Sequence, residues 1–160
     1  MHTIDRTRRQ TKQVDIAANA STTARPEVLF AVMSDLTTYP KWLDLVQLVA
    51  PVPSVDTDPG PAFDVTLRAT VGPFARSKRL RMSQTESTDQ STVSFVRSEV
   101  DGRDHANWQL NSVVTETTTG SQVEVTLRYD GSLWSPIIER VLRKQIEAAT
   151  PRLQSLAENR

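Results

Sequence analysis

The chain has 160 residues, with 19 Lys and Arg against 19 Asp and Glu and a formal net charge of zero. One domain is the default at this length, and the balanced charge gives no overall pull toward nucleic acid or anionic lipid. There is no cysteine, which excludes disulfides, thiol nucleophiles and zinc–thiolate centres, and only His2 and His105 remain as soft ligands, so no metal or cofactor is expected.

No apolar run approaches the ~20 residues of a membrane span. The basic start MHTIDRTRRQ lacks the apolar stretch of a secretory signal. Residues 1–11 read as a flexible polar tail, residues 12–158 as a single domain, and the cytoplasm as the default compartment.

Gln13 to Ala20 predicts a first strand, with Val14, Ile16 and Ala18 on one face. Pro26 suits the first turn of a short helix carrying Val28, Leu29, Val32 and Met33. A second short helix is expected over LTTYPKWLDLV, interrupted at Pro40, and Leu45 to Val52 reads as a second strand. APVPSVDTDPGP is loop by its Pro, Asp and Gly content.

From Thr57 to Asp130 apolar and polar residues alternate, the strand period. Turn chemistry then proposes a register. Gly72-Pro73 sets Val71 against Phe74, Leu67 against Lys78 and Phe63 against Met82. Asp101-Gly102 reads as a type I′ turn. It would set Glu99 against Asp104, Arg97 against Ala106 and Phe95 against Trp108. A turn at Thr117–Gly120 sets Leu110 against Leu127 and Trp108 against Tyr129.

This register sorts the faces, and a one-residue slip would invert a strand. One face collects Phe63, Val65, Leu67, Leu80, Met82, Val93, Phe95, Trp108, Leu110, Val123, Val125 and Leu127. The other collects Asp64, Thr66, Arg68, Arg79, Arg81, Ser94, Asn107, Gln109, Asn111, Glu124, Thr126 and Arg128, and is expected to be wet.

The last segment carries Leu133, Ile137, Val141, Leu142, Ile146, Ala149, Leu153 and Leu156 at helical spacing. One long amphipathic helix after a run of hairpins buries its stripe on the concave side of a curved antiparallel sheet. That packing readily leaves an internal hollow. Pro151 is expected to kink or restart the helix near Ala148–Thr150.

The order strand, two short helices, six strands and long helix resembles the helix-grip fold of the START/polyketide-cyclase-like superfamily. RPEVLFAVMSDLTTYPKWLDLV is similar to the family's opening through Pro26, Glu27, Asp35, Pro40 and Trp42, and Trp108 with Leu110 resembles its late-strand Trp-x-Leu. The resemblance implies an α+β helix-grip fold, with a strongly curved seven-stranded antiparallel sheet wrapped around the C-terminal helix. It also implies a cavity of the kind that holds lipids, sterols, aromatic polyketides or quinones, with catalysis in only some members.

Trp42, Phe63, Leu67, Met82, Phe95, Arg97, Trp108, Leu110, Tyr129, Ile138 and Leu142 are the candidate cavity lining. Arg76, Lys78 and Glu99 are the candidate polar end, beside the two hairpin tips, with Arg97 as the anchor for a ligand oxygen. The bland alternative is that these charges snorkel to water and pair, Lys78 with Glu99. The aromatics, likewise, would fill a core without any ligand. His105 falls on the outer face with no reactive neighbour, which leaves neither histidine inside for acid–base work. The basic streak Arg68, Arg79, Arg81 and Arg128 lacks an aromatic stacking platform, so a solvated face and not nucleic acid is expected.

Three functions compete. One is binding of a small hydrophobic or amphipathic molecule (lipid, polyketide or quinone-like) by a monomer or homodimer, without membrane insertion. The second is a polyketide cyclase or dehydratase that folds a reactive chain and polarises its carbonyls in the same cavity. The third is a protein-interaction domain with a packed interior. A cavity below ~300 Å³ favours the third.

Overall fold

The computed structural model describes residues 14–88, 91–130 and 136–160. Its elements are β1 (Val14–Thr22), α1 (Pro26–Met33), a 3₁₀ helix (Leu36–Lys41), β2 (Val46–Val52), β3 (Ala62–Val71), β4 (Phe74–Thr88), β5 (Thr92–Arg97), β6 (Trp108–Thr117), β7 (Gly120–Tyr129) and α2 (Pro136–Glu158). The expected tail at residues 1–11 and the start of the predicted helix at Leu133 lie outside the described residues.

Local chemistry places the short helices. Pro26 opens α1, where its missing N–H costs nothing, and Glu27 sits in the first turn, where the helix dipole favours an anion. Leu29, Phe30, Val32 and Met33 are the buried face. The Asp35 side chain then accepts from the Thr37 N–H at 3.1 Å and its hydroxyl at 2.6 Å, which starts the 3₁₀ turn. The Thr38 hydroxyl donates to the Val32 carbonyl at 2.9 Å and ties the turn to α1. The helix expected over LTTYPKWLDLV is therefore shorter than read: it stops at Lys41, and Trp42 to Leu45 are buried loop apart from exposed Asp44.

The seven strands form one antiparallel sheet in the order β1-β7-β6-β5-β4-β3-β2. Each consecutive pair from β2 to β7 is a hairpin neighbour, and β1 returns to the far edge, pairing Ile16 with Leu127. The concave face closes on α2, which packs mainly against β1. Register shifts at Val46/Leu48 and Gln84/Glu86 are bulges of the kind that bend a sheet.

The β3–β4 and β6–β7 registers are those read from the turns: Leu67 faces Lys78, Leu110 faces Leu127 and Trp108 faces Tyr129. The β5–β6 register differs. Phe95 faces Leu110 and Val93 faces Ser112, two residues away from the turn-based reading. Asp101-Gly102 is not a two-residue turn closing the ladder; it sits in a loop running from Ser98 to Asn107. The slip is even, so each side chain keeps its face.

The outer face is not uniformly wet. Arg81, Ser83 and Ser94 on it are buried. The Pro-rich loop before β3 folds over β4, and Asp58 grips the Arg81 guanidinium with two bonds, 2.8 and 2.7 Å. Arg81 also donates to the carbonyls of Ser98 and Pro53, at 2.8 and 3.0 Å, and the Ser98 hydroxyl donates to Asp58 at 2.7 Å. Gly60 lies so close to β4 that a Cβ there would run into the Gln84 carbonyl oxygen. The guanidinium beside Asp58 holds its carboxyl well below the usual carboxylate range, against the opposing effect of burial.

α2 is one continuous helix through Pro151, so of the kink or restart expected near Ala148–Thr150 the restart does not occur. Pro151 and Glu147, the residue whose carbonyl loses its partner, are both exposed, and water can take the freed bond.

Candidate functional site

Between the concave face and α2 lies a hollow of about 80 Å³. All seven strands contribute to its wall, with the 3₁₀ helix, the loop after it and α2. Six residues named from the sequence line it: Trp42, Leu67, Met82, Phe95, Trp108 and Leu110. Others were missed, among them Leu36, Tyr39 and Leu43, and Ile146, Ala149 and Leu153 of α2. The helical stripe carried the signal for the last three. Tyr39 was legible only as part of the Tyr-Pro-x-Trp run, whose tertiary position depends on the 3₁₀ turn.

The remaining lining candidates lie elsewhere. Phe63 stacks its ring edge on Phe95, with centroids 6.3 Å apart, from outside the hollow. Tyr129 is buried against Trp108, with centroids 4.5 Å apart, and does not reach the space. Leu142, on α2, is buried but does not line it. The Ile138 side chain lies outside the described residues.

The polar end is not assembled as read. β5 first meets β4 at Met82–Arg97, whereas Lys78 faces Leu67 and Arg76 faces Ala69. Four residues separate Lys78 from Met82, roughly 13 Å of strand. Arg76 and Lys78 are exposed. Glu99 does not pair with Lys78: it accepts Arg97 Nε at 2.7 Å and the Arg81 backbone N–H at 3.2 Å. Arg97 also donates to the Ala106 carbonyl at 3.3 Å, and its side chain is nearly covered. It lines a separate polar cleft with Asn107, Gln109, Arg128 and Asp130, and Trp108 borders both cleft and hollow. His105 lies outside the hollow, against the Asp101 carboxylate at 2.9 Å.

Chemically the hollow is apolar and short of reactive groups. Tyr39 is the one titratable residue on its wall among the described residues. Its hydroxyl donates to the Met33 carbonyl at 2.8 Å, and burial pushes the phenol above its usual range, so it holds its proton. The Nε1 atoms of Trp42 and Trp108 are buried with no hydrogen-bond partner. An unmet buried donor costs about 1–3 kcal/mol. No group of three or more metal-ligating side chains occurs among the described residues. No helix among them is long and apolar enough to cross a membrane.

No curated protein matches the chain in sequence. Solved structures do match in fold. A START superfamily protein from Mycobacterium smegmatis superposes with a TM-score of 0.66 at 11% identity, covering 92% of this chain and 97% of that one. TTHA0849 from Thermus thermophilus gives 0.67 at 16% identity, covering 92% and 98%. The Zhui aromatase/cyclase from Streptomyces sp. R1128 gives 0.65 at 10% identity, covering 94% and 95%. At these identities the likeness establishes the helix-grip fold. The family profile described as polyketide cyclase/dehydrase and lipid transport matches residues 13–158. A match over nearly the whole chain, on top of the fold, places this protein in the polyketide cyclase/dehydrase and lipid transport family.

Proposed function

We propose that the chain is a binding module for a small, mainly apolar molecule held between the curved sheet and α2. The observation that supports this most is the wall itself: it is mostly aliphatic and aromatic, every strand contributes to it, and two of its residues, Trp42 and Trp108, carry buried indole donors without partners. Burial drives such binding at about 25 cal/mol per Å² of apolar area. The indoles would favour a ligand with carbonyl, ether or hydroxyl oxygens. A cyclase or dehydratase reading gets less support, because the wall offers no carboxylate, imidazole or ionisable phenol among the described residues.

The volume favours a second reading. A space of about 80 Å³ is well under the ~300 Å³ at which drug-sized pockets begin. Either α2 shifts outward to admit a ligand, or the chain is an interaction domain whose interior is nearly full. Titration with 1-aminoanthracene, which brightens on leaving water, separates the two. The binding reading expects saturable emission that Ala149→Leu, which fills the hollow from α2, abolishes. No emission gain with the intact protein would leave the packed-interior reading standing.

A further inference from the structure

The hairpin between β3 and β4 extends past its neighbours. β2 leaves β3 at Val46–Leu67, and β5 meets β4 only from Met82 onward. Between those points the pairs Arg68–Ser77 to Val71–Phe74 have each other and no third strand. Residues 72–79 are all exposed. An isolated two-stranded ribbon is marginal in water, so its surface has to be explained.

That surface is cationic with an aromatic tip. From Ala69 to Leu80 there is no acidic residue, while Arg76, Lys78 and Arg79 are present. Arg79 pairs with Asp64 at 2.9 Å, but Arg76 and Lys78 have no ion-pair partner among the described residues. Phe74 is 66% exposed at the turn. By the strand period Phe74, Arg76 and Lys78 share one face, and the same face continues into Leu80 and Met82 on the hollow's wall. Cations alone would be explained as protection of open strand edges against unwanted pairing. An exposed phenylalanine at the tip works against that purpose.

We propose that this ribbon docks the protein on an anionic lipid bilayer, with Phe74 entering the headgroup boundary and Arg76 and Lys78 meeting the lipid charges. The pairing of an apolar tip with adjacent cations is the pattern of interfacial binding. The zero net charge of the whole chain hides it, because the field near the ribbon falls off within a Debye length of about 8–10 Å. The inference rests on the binding reading above and extends it: the apolar cargo would be exchanged with a membrane, past the ribbon that adjoins the hollow.

Co-sedimentation with vesicles tests it. The full chain is expected to bind vesicles containing about one third phosphatidylserine, to bind pure phosphatidylcholine far less, and to release as salt rises to about 0.5 M. Arg76→Glu with Lys78→Glu should weaken binding at least roughly 25-fold, at about fivefold per cation. Phe74→Ser should weaken it roughly tenfold while leaving 1-aminoanthracene binding unchanged and the circular dichroism native. Equal binding to neutral vesicles overturns the proposal. So does equal capture by soluble polyglutamate with no effect of Phe74→Ser, which would mark a protein-facing anion site. If 1-aminoanthracene binds and vesicles do not, only this inference falls; if neither binds, the ligand-binding reading falls with it.

Discussion

Buried polar groups lie both behind the sheet and around the hollow, and they are satisfied to different degrees. On the outer face Arg81 and Asp58 are out of water, with Asp58, Ser98 and Pro53 supplying oxygens to the guanidinium. The indole N–H groups of Trp42 and Trp108, two residues that line the hollow, are equally out of water and have no partner in the chain. The first is complete within the chain, and its role is to hold the loop before β3 onto β4. The second has no partner within the chain, and under the binding reading a ligand oxygen would supply it. Burial alone therefore does not say what a polar group is for; whether it is satisfied within the chain is the further observation that the binding reading uses.

The largest test of this contrast is Asp58→Ala. It leaves a nearly covered guanidinium without its counter-charge, which costs about 3–5 kcal/mol. At about 2–4 °C per kcal/mol for a chain of this size, calorimetry should show the melting midpoint fall by roughly 6–20 °C. A fall under about 2 °C would mean the loop clamp is ornamental. The Asp58 carboxyl is held below its unfolded value, so its contribution is complete above the unfolded pKa near 4 and is lost as pH drops toward the folded one. The stability gap between the native chain and Asp58→Asn should accordingly be constant from about pH 6 to 8 and narrow below about pH 4.

Ala149→Leu probes the other face. Filling about 80 Å³ at ~24 cal/mol per Å³ raises stability by at most about 2 kcal/mol and removes fluorophore binding. If stability falls instead, the wall is more tightly packed than its shape implies. Trp108→Phe should change the unfolding free energy by less than about 1 kcal/mol, since lost contact area is offset by removing an unmet donor. The same change should weaken binding of 2-acetylnaphthalene severalfold and of naphthalene hardly at all. Equal losses for both would show that the indole N–H has no role in recognition. Smallest of all, Asp15→Asn, which cuts the exposed Arg128 pair at 2.9 Å, should stay within about 0.5 kcal/mol by urea denaturation.

Much of the fold was legible because hairpin chemistry is local. Gly72-Pro73 fixed the β3–β4 register by itself, and the alternation from Val65 to Leu127 assigned inside and outside. Asp101-Gly102 misled because the same dipeptide also suits a longer loop: Gly102 does take a positive φ, of 73°, but in a loop whose flanks do not pair. The buried Arg81 was illegible, because its partner comes from a loop 23 residues earlier whose path no periodicity reports. Arg76 and Lys78 were placed on the correct face but at the wrong depth. Alternation gives the side on which a residue lies and says nothing of where the neighbouring strands stop. Phe95 and Trp108 were named because they are large and alternate inward, whereas Tyr39 depended on a turn held by Asp35 and Thr38.

The hollow draws its wall from Ala18 near one end of the described chain and Leu153 near the other. An occupant would therefore touch both β1 and α2 and reinforce a contact that the chain already makes between them. It would act as a removable rivet: loading would slow amide exchange in β1 and α2 together, and release would loosen both at once. For such a protein, resistance to proteolysis would be a direct gauge of how much cargo it carries.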